Sequence, residues 1–454
     1  MTLDQTLYFK PEAQEMKWLW PHSKRSILGR NWIWYPEESD ACYSAIHSEH
    51  PDLSAAEEDA KKICARIAFL DATATAIAVP CLFTPAMYYP SFRRYAGRCS
   101  EFDAELKKTP VIHLTIQTMA AIATAPITAL PVHVHVAGSD FSLLRRLPAP
   151  NTYLFTPNPT WPILGAKDQI TRPDVLGDLN IGDTLEDEAT NRQTVLGAFP
   201  YGDDGATTYG ITCGHLVANE PYQASEPTNI YSPSLSDIYA KLSVRPPPTM
   251  ESFKQRREGI QKQITETDDK YEKARLEKLN EYFEVCDHPE VRHVGVVCAG
   301  EVGYIDKDSS HQIADWLLFK VSQRNTGNHP YLWGDVQELV SDMPVYRAYN
   351  NSFGPGFRRW EYGVVNGIKA CCLDHGRTTM EFPIFMTRDS PTHYPNETGC
   401  VLMTHDRDPL GLVFASPAPN RSYALVTPLS VLIPRIEDLT GIQLSFKSFD
   451  ELYR

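Results

Sequence analysis

Three short segments of this 454-residue chain hold residue types that could do chemistry together. The first, Tyr209 to Val217, reads as a strand that runs into the small-residue turn Cys213-Gly214 and presents His215 at its end. The second, Ala314 to Val321, places Asp315 immediately before a hydrophobic strand, where a carboxylate can be buried against an imidazole N–H. The third, Tyr394 to Met403, sets Thr398 beside Gly399 in a tight turn before a buried strand, and a second Gly-containing strand, Pro409 to Ala415, returns beside it. Imidazole, carboxylate and hydroxyl, in that chain order, are the residue types of base-assisted nucleophilic catalysis.

Strands must position these groups. From Gly177 onward, short apolar runs separated by Gly, Asn and Asp predict an all-β architecture. One segment departs from it: Glu251 to Phe283 carries eight acidic and eight basic residues, no proline and one glycine, which predicts a helix inserted into the β domain. Mixed-sign pairs such as Glu258–Lys262 and Glu266–Lys270 make that helix largely solvated, and Lys278 and Glu281 interrupt its heptad-like stripe, which argues against a long coiled coil. Before Gly177, prolines 148, 150, 157, 159 and 162 deny both helix and central strand, so residues 151–176 form an extended linker. Residues 1–150 read as a small α+β domain. Its helix spans Asp52 to Ala65, with Ser54 as cap and Glu57 as capping-box partner, and Val111–Ile116 and Pro131–Val136 are buried strands. His133 and His135 project from one strand face, and His113 could join them; without an accompanying Asp, Glu or Cys set they are read as structural groups rather than a metal site. His47 and His50 are spaced for one helix face.

The C-terminal zone resembles a trypsin-like serine peptidase of the chymotrypsin fold, the intracellular type without disulfides seen in many fungal proteins. The resemblance rests on Thr212-Cys213-Gly214-His215, on Asp315-Trp316-Leu317-Leu318-Phe319-Lys320-Val321, and on Asn396-Glu397-Thr398-Gly399 in the place of G-D-S-G. Gly363-Val364-Val365-Asn366-Gly367 is similar to the family's G-x-V-x-G strand. Ala424 to Gly441 resembles its closing strand and C-terminal helix. The resemblance covers about 177–441 and implies a double β-barrel in which His215 is the general base, Asp315 its orienting acid and Thr398 the nucleophile. It also implies an oxyanion hole from the backbone N–H groups of Asn396 and Thr398. The pocket floor would be Thr392 and the pocket wall Leu412, Val413, Phe414, Ala415 and Ser416. No acid stands in frame at the floor, which argues against cleavage after Lys or Arg, although an insertion could bring Asp389 there.

The sequence departs from the family at the nucleophile. A threonine there adds a methyl on a β-branched carbon, which restricts χ1 and crowds the imidazole or the incoming carbonyl. Threonine nucleophiles elsewhere typically use a terminal amine as base. Ser390 keeps an Asp-Ser pair but is followed by Pro391, and Cys400 is a stronger nucleophile when ionised but lies one strand repeat further from the histidine. Two functions follow from this pattern: a peptidase weakened or silenced at residue 398, or a pseudopeptidase that binds protein or peptide without turnover.

Composition narrows the partners. With 57 acidic residues against 43 Lys plus Arg, the net charge of −14 disfavours nucleic acid and anionic membranes, which select positive surfaces. Protein or peptide is the expected partner, and no cofactor or metal is implied. The first thirty residues mix charges into their apolar positions and do not form a signal peptide. The most apolar stretch, Ala72 to Pro85, is shorter than the roughly 20 residues a membrane span takes. Ten cysteines without ligand spacing read as free thiols in a reducing, intracellular setting.

Overall fold

The computed structural model describes residues 32–34, 42–84, 109–116, 128–136, 153–155, 176, 178–187, 192–204, 207–217, 228–242, 250–287, 289–307, 310–321, 334–350, 358–374, 376–386, 398–416 and 423–446. In the first part of the chain, β1 (Trp32–Trp34), β2 (Cys42–Ser44), α1 (Leu53–Leu70), β3 (Thr75–Thr84), β4 (Thr109–Ile116) and β5 (Val132–Val136) build one sheet with a helix on it. Its order is β1-β5-β4-β3, with β2 also paired to β3. Period-2 alternation divides each strand between two faces. Ala76, Ala78, Ile112, Leu114, Val132 and Val134 pack beneath Ile63, Cys64 and Ile67 of α1. Ile77, Val79, Cys81, Phe83 and Val111 face the other way into a larger core.

That sheet continues into the C-terminal half. β3 pairs with β15 (Ala370–Asp374) in the register Cys371↔Ala78, and β15 pairs with the first half of β16 (Arg377–Met386). The second half of β16 belongs to a closed ring of six strands: β16, β14 (Arg358–Val365), β13 (Pro344–Asn350), β17 (Val401–Met403), β18 (Pro409–Ala415) and β19 (Tyr423–Pro428), which returns to β16. One ten-residue strand therefore joins the N-terminal sheet to a barrel. The β3–β15 pairing spans about 290 positions of sequence, so no local pattern announces it.

A second ring precedes this one in the chain. Its order is β8 (Arg192–Val195), β7 (Thr184–Asp187), β10 (Asn229–Tyr231), β11 (His293–Lys307), β12 (Ser310–Val321) and β9 (Tyr209–Thr212), with β6 (Tyr153–Phe155) added beside β11. The chain leaving β8 bridges back to β9 through Ala198↔Ile211, which closes the ring. Leu185, Ile211, Val297, Leu317 and Phe319 of this barrel share one apolar core with Leu412, Phe414 and Leu425 of the other. Burying that continuous surface, at about 25 cal/mol per Å² of apolar area, clamps the barrels against each other.

Several local expectations change. α1 runs to Leu70 rather than Ala65, and Asp52 rather than Ser54 occupies its N-cap position, without a side-chain capping bond. Ser54 falls inside the first turn, too late to reach the unpaired amides. His47 and His50 lie before that helix in a turn, where His47 pairs with Asp342 at 3.3 Å. The charged insertion follows a short helix, α2 (Leu235–Lys241), and is itself two helices, α3 (Met250–Glu266) and α4 (Lys270–Asp287), packed together. The break is Thr267-Asp268-Asp269, where the Asp269 carboxylate accepts the Tyr271 N–H at 2.9 Å and starts α4. Ile260, Leu276 and Phe283 are buried while most of their neighbours stay in solvent. A last helix, α5 (Leu429–Thr440), follows β19 and ends at Gly441, whose φ of +70° suits the left-handed cap.

His113 and His133 stand directly opposite each other on the parallel strands β4 and β5, with His135 one repeat on. All three face away from α1 and are buried. His113 Nδ1 meets the Tyr423 hydroxyl at 3.2 Å, and His133 Nδ1 meets that of Tyr43 at 3.4 Å. Burial, reinforced by the neighbouring His135, holds His113 at a pKa of about 3, and burial lowers His133 as well. His113 and His133 are thereby held neutral, and the contact of His113 with Tyr423 ties the N-terminal sheet to β19.

Candidate active site

The site lies where the barrels meet. β9 ends at Thr212, and the chain turns through Cys213 into a short 3-10 turn, Gly214–Leu216, that carries His215. Gly214 is required there: a Cβ would stand 2.7 Å from the Trp316 carbonyl oxygen and 2.8 Å from that of Glu301. This close approach lays the histidine against β12. Asp315 sits within β12 rather than just before it, because the strand extends back to Ser310 by pairing with the end of β11.

Asp315 is 1% exposed, and both its oxygens are used by the histidine. Oδ1 accepts the His215 backbone N–H at 2.8 Å, and Oδ2 lies 2.6 Å from His215 Nδ1. A buried carboxylate with two such donors keeps Nδ1 protonated and leaves Nε2 as the acceptor. Nε2 points across the interface to Thr398 Oγ1, 3.3 Å away. The three residues that sequence order linked are thus one connected line, Asp315–His215–Thr398.

Gly399 makes the turn after Thr398 possible. Its φ is +96°, and a Cβ would come within 2.3 Å of Thr194 Oγ1, 2.4 Å of Thr212 Oγ1 and 2.5 Å of the Val195 oxygen. Its N–H donates to the Val413 carbonyl at 2.7 Å, which docks the turn on β18. Sequence reasoning missed the groups on the other side. Thr194 Oγ1 donates to the Thr398 carbonyl, Thr194 and Thr212 meet hydroxyl to hydroxyl at 3.0 Å, and Arg192 donates to the His215 carbonyl at 2.7 Å. Only Thr212 lies in a segment with a readable pattern.

Asn396 and Thr392 lie outside the described residues, as does Ser390. Leu412 and Phe414 are buried in the shared core, and Val413 is buried in a smaller core of the β13–β19 barrel that Val195 of β8 joins. Ala415 and Ser416 are half-buried, and Ser416 Oγ donates to the Tyr423 carbonyl at 3.3 Å. Cys400 is buried, with its carbonyl bound to the Val413 N–H.

Cys213, His215 and Asp315 offer ligand atoms within 4.8 Å of one another, a spacing a metal ion could span. The donor chemistry fits poorly. Burial and the Asp315 charge push the Cys213 thiol well up, so it stays protonated and donates to the Val413 carbonyl, while both Asp315 oxygens are taken.

Two barrels, with His and Asp on the first and the hydroxyl on the second, decide the architecture. The fold is a chymotrypsin-like double β-barrel. No family model matches this sequence, and no curated protein does. Among solved structures the chain is similar to the MamO protease domain from Magnetospirillum magneticum, at 11% identity and a TM-score of 0.27 over 57% of this chain and 97% of that one. It is likewise similar to the inactive form of the Rv3671c protease, at 11% identity and a TM-score of 0.27 over 59% and 95%. The fold assignment rests on the strand pairings. Among the described residues, no helix is long and apolar enough to cross a membrane.

Proposed function

We propose that the chain is a trypsin-like peptidase homologue that acts on protein or peptide by His/Asp-assisted acyl transfer, with Thr398 as a hindered nucleophile. The observation that carries this reading is the 3.3 Å approach of Thr398 Oγ1 to His215 Nε2, in line with the 2.6 Å contact of Nδ1 to Asp315. In the reaction the hydroxyl proton passes to Nε2 as Oγ1 attacks the carbonyl carbon, and the imidazolium formed is stabilised by Asp315. The proton then goes to the leaving amine, and water releases the acyl group by the same route. The Asn396 and Thr398 amides are the proposed oxyanion donors. An intracellular setting belongs to the proposal: eight cysteines among the described residues are free thiols, as in the disulfide-free members of the family.

A second reading is a pseudopeptidase that holds a peptide in the same cleft without turnover. The β-branched carbon at 398 favours it, because a misplacement of about 1 Å can cost on the order of 100-fold.

Cleavage of an unbiased peptide library by the chain, Thr398→Ser, Thr398→Ala and His215→Ala separates the two. Activity in the chain that vanishes in both alanine variants supports the threonine peptidase. Activity only in Thr398→Ser supports a machine disarmed at one position. Silence in every variant, with peptide binding retained, moves the assignment to the pseudopeptidase.

A further inference from the structure

The two reacting groups come from different barrels, so their separation depends on whatever fixes one barrel's backbone to the other's. One strand touches both. In β8, Arg192 and Thr194 are two positions apart and so project from the same face. Arg192 donates to the carbonyl of His215 at 2.7 Å, and Thr194 donates to the carbonyl of Thr398. The next residue adds a main-chain bond: Val195 N–H reaches the same Thr398 carbonyl at 3.0 Å. The intervening Gln193 points the other way, where its Oε1 accepts from Ser236 Oγ.

We propose that β8 is a positioning strand, in which Arg192 and Thr194 set the distance between His215 Nε2 and Thr398 Oγ1 by tethering the carbonyls of both residues to one rigid element. This rests on the reading of His215 and Thr398 as base and nucleophile. Arg192 is the stronger tether, because a guanidinium N–H makes a charge-assisted bond. The Thr194 tether has a second support. Thr212 Oγ1, 2.7 Å from the Val195 carbonyl, also lies 3.0 Å from Thr194 Oγ1. Thr194 gives its proton to the Thr398 carbonyl and Thr212 gives its own to the Val195 carbonyl, so the hydroxyl contact packs the two side chains together while the Thr212 bond holds β8 to β9 beside the tether. With that carbonyl fixed on one side and the Gly399 N–H fixed to Val413 on the other, the 398–399 peptide has one orientation. Both bonds go to main-chain carbonyls rather than to Nε2 or Oγ1, so Arg192 and Thr194 act through the residues they hold.

The test is the rate of covalent labelling by a fluorophosphonate probe, in the full chain and in its Thr398→Ser form, for Thr194→Val, Thr194→Ser, Arg192→Met and Arg192→Lys. Val has the shape of Thr without its proton, so Thr194→Val is expected to slow labelling about 10- to 100-fold and Thr194→Ser to restore it to within about 3-fold. Arg192→Met is expected to slow it about 10-fold, with partial recovery in Arg192→Lys. A spectroscopic readout accompanies these rates: the far-downfield proton resonance of His215 Nδ1–H is expected to move in Arg192→Met and to stay in place in Arg192→Lys. Labelling within 2-fold of the parent in both Thr194→Val and Arg192→Met overturns the proposal. If neither parent labels, or labelling persists in His215→Ala, the catalytic reading fails instead, and the resonance alone judges the tether: an unmoved signal in Arg192→Met overturns it.

Discussion

Arg435 on the C-terminal helix grips the buried Glu301 of β11 through two hydrogen bonds, Nη2 to Oε1 at 2.8 Å and Nε to Oε2 at 3.1 Å. The same Oε2 accepts Trp316 Nε1–H at 3.1 Å, and Trp316 is the residue after Asp315. The last helix is therefore tied to the strand that orients the histidine. Arg435→Ala would leave a fully buried carboxylate with a single neutral donor. Since the Arg435 side chain is one-third exposed, its loss is expected to destabilise the fold by about 2 kcal/mol, below the usual figure for breaking a fully buried pair. Urea unfolding checks this, and Glu301→Gln combined with Arg435→Ala should recover part of the loss.

Gly399 offers a sharper case. Its positive φ and the three oxygens within 2.5 Å of where a methyl would stand leave no room for a side chain. Gly399→Ala is expected to destabilise the fold by roughly 3 kcal/mol or more, since strain and overlap act together. Thermal unfolding measures the effect. Gly441→Ala serves as control: it shares the positive φ but has nothing within 4 Å of the added carbon, so it should cost only about 1 kcal/mol.

Glu381 makes stability depend on pH. It is buried where β16 meets β12, with Oε1 accepting the Ile313 N–H at 2.8 Å, and burial pushes its pKa up to about 7. The folded form holds the proton more tightly than the unfolded chain, so the stabilisation is complete below the ordinary carboxylate range. It is lost as pH rises toward 7, a total on the order of 3 kcal/mol by linkage. Glu381→Gln mimics the protonated side chain. It should be more stable than the parent at pH 8 and nearly equal to it at pH 4.5 in urea titrations. The buried histidines act oppositely: the lowered pKa of His113 withdraws stability as pH falls below 6.5, so the contrast is read between the two proteins at each pH.

The line from Asp315 through His215 to Thr398 was legible because each residue sits in a local pattern: a strand ending in small residues, a polar residue read as just preceding an apolar strand, a turn glycine. The strands of the barrels were legible for the same reason. What positions the line was not legible. Arg192 and Thr194 act on residues 23 and 204 positions away, through main-chain carbonyls that accept from any well-placed donor, so no residue type marks the pairing. The β3–β15 seam is hidden in the same way. The break in the charged helix could have been read, since Asp269 with Glu272 three residues on is an N-terminal capping pattern inside a run whose composition alone favoured continuity.

The role given to Asp315 makes the most demanding prediction. It accepts from both the backbone and the ring of His215, so its charge fixes the tautomer while its position fixes the ring. Asp315→Asn keeps the shape but offers an N–H or a neutral oxygen to Nδ1. If the amide nitrogen faces the ring, Nδ1 becomes the acceptor and the proton moves to Nε2, which can then no longer take one from Thr398. Fluorophosphonate labelling of the Thr398→Ser form should fall by roughly 10³- to 10⁴-fold, while its urea midpoint moves little because no cavity is opened. The His215→Ala variant should fall as far, and the double variant no further, since the two residues act as a unit. A double variant whose loss equals the product of the single losses would mean that Asp315 acts independently of the imidazole.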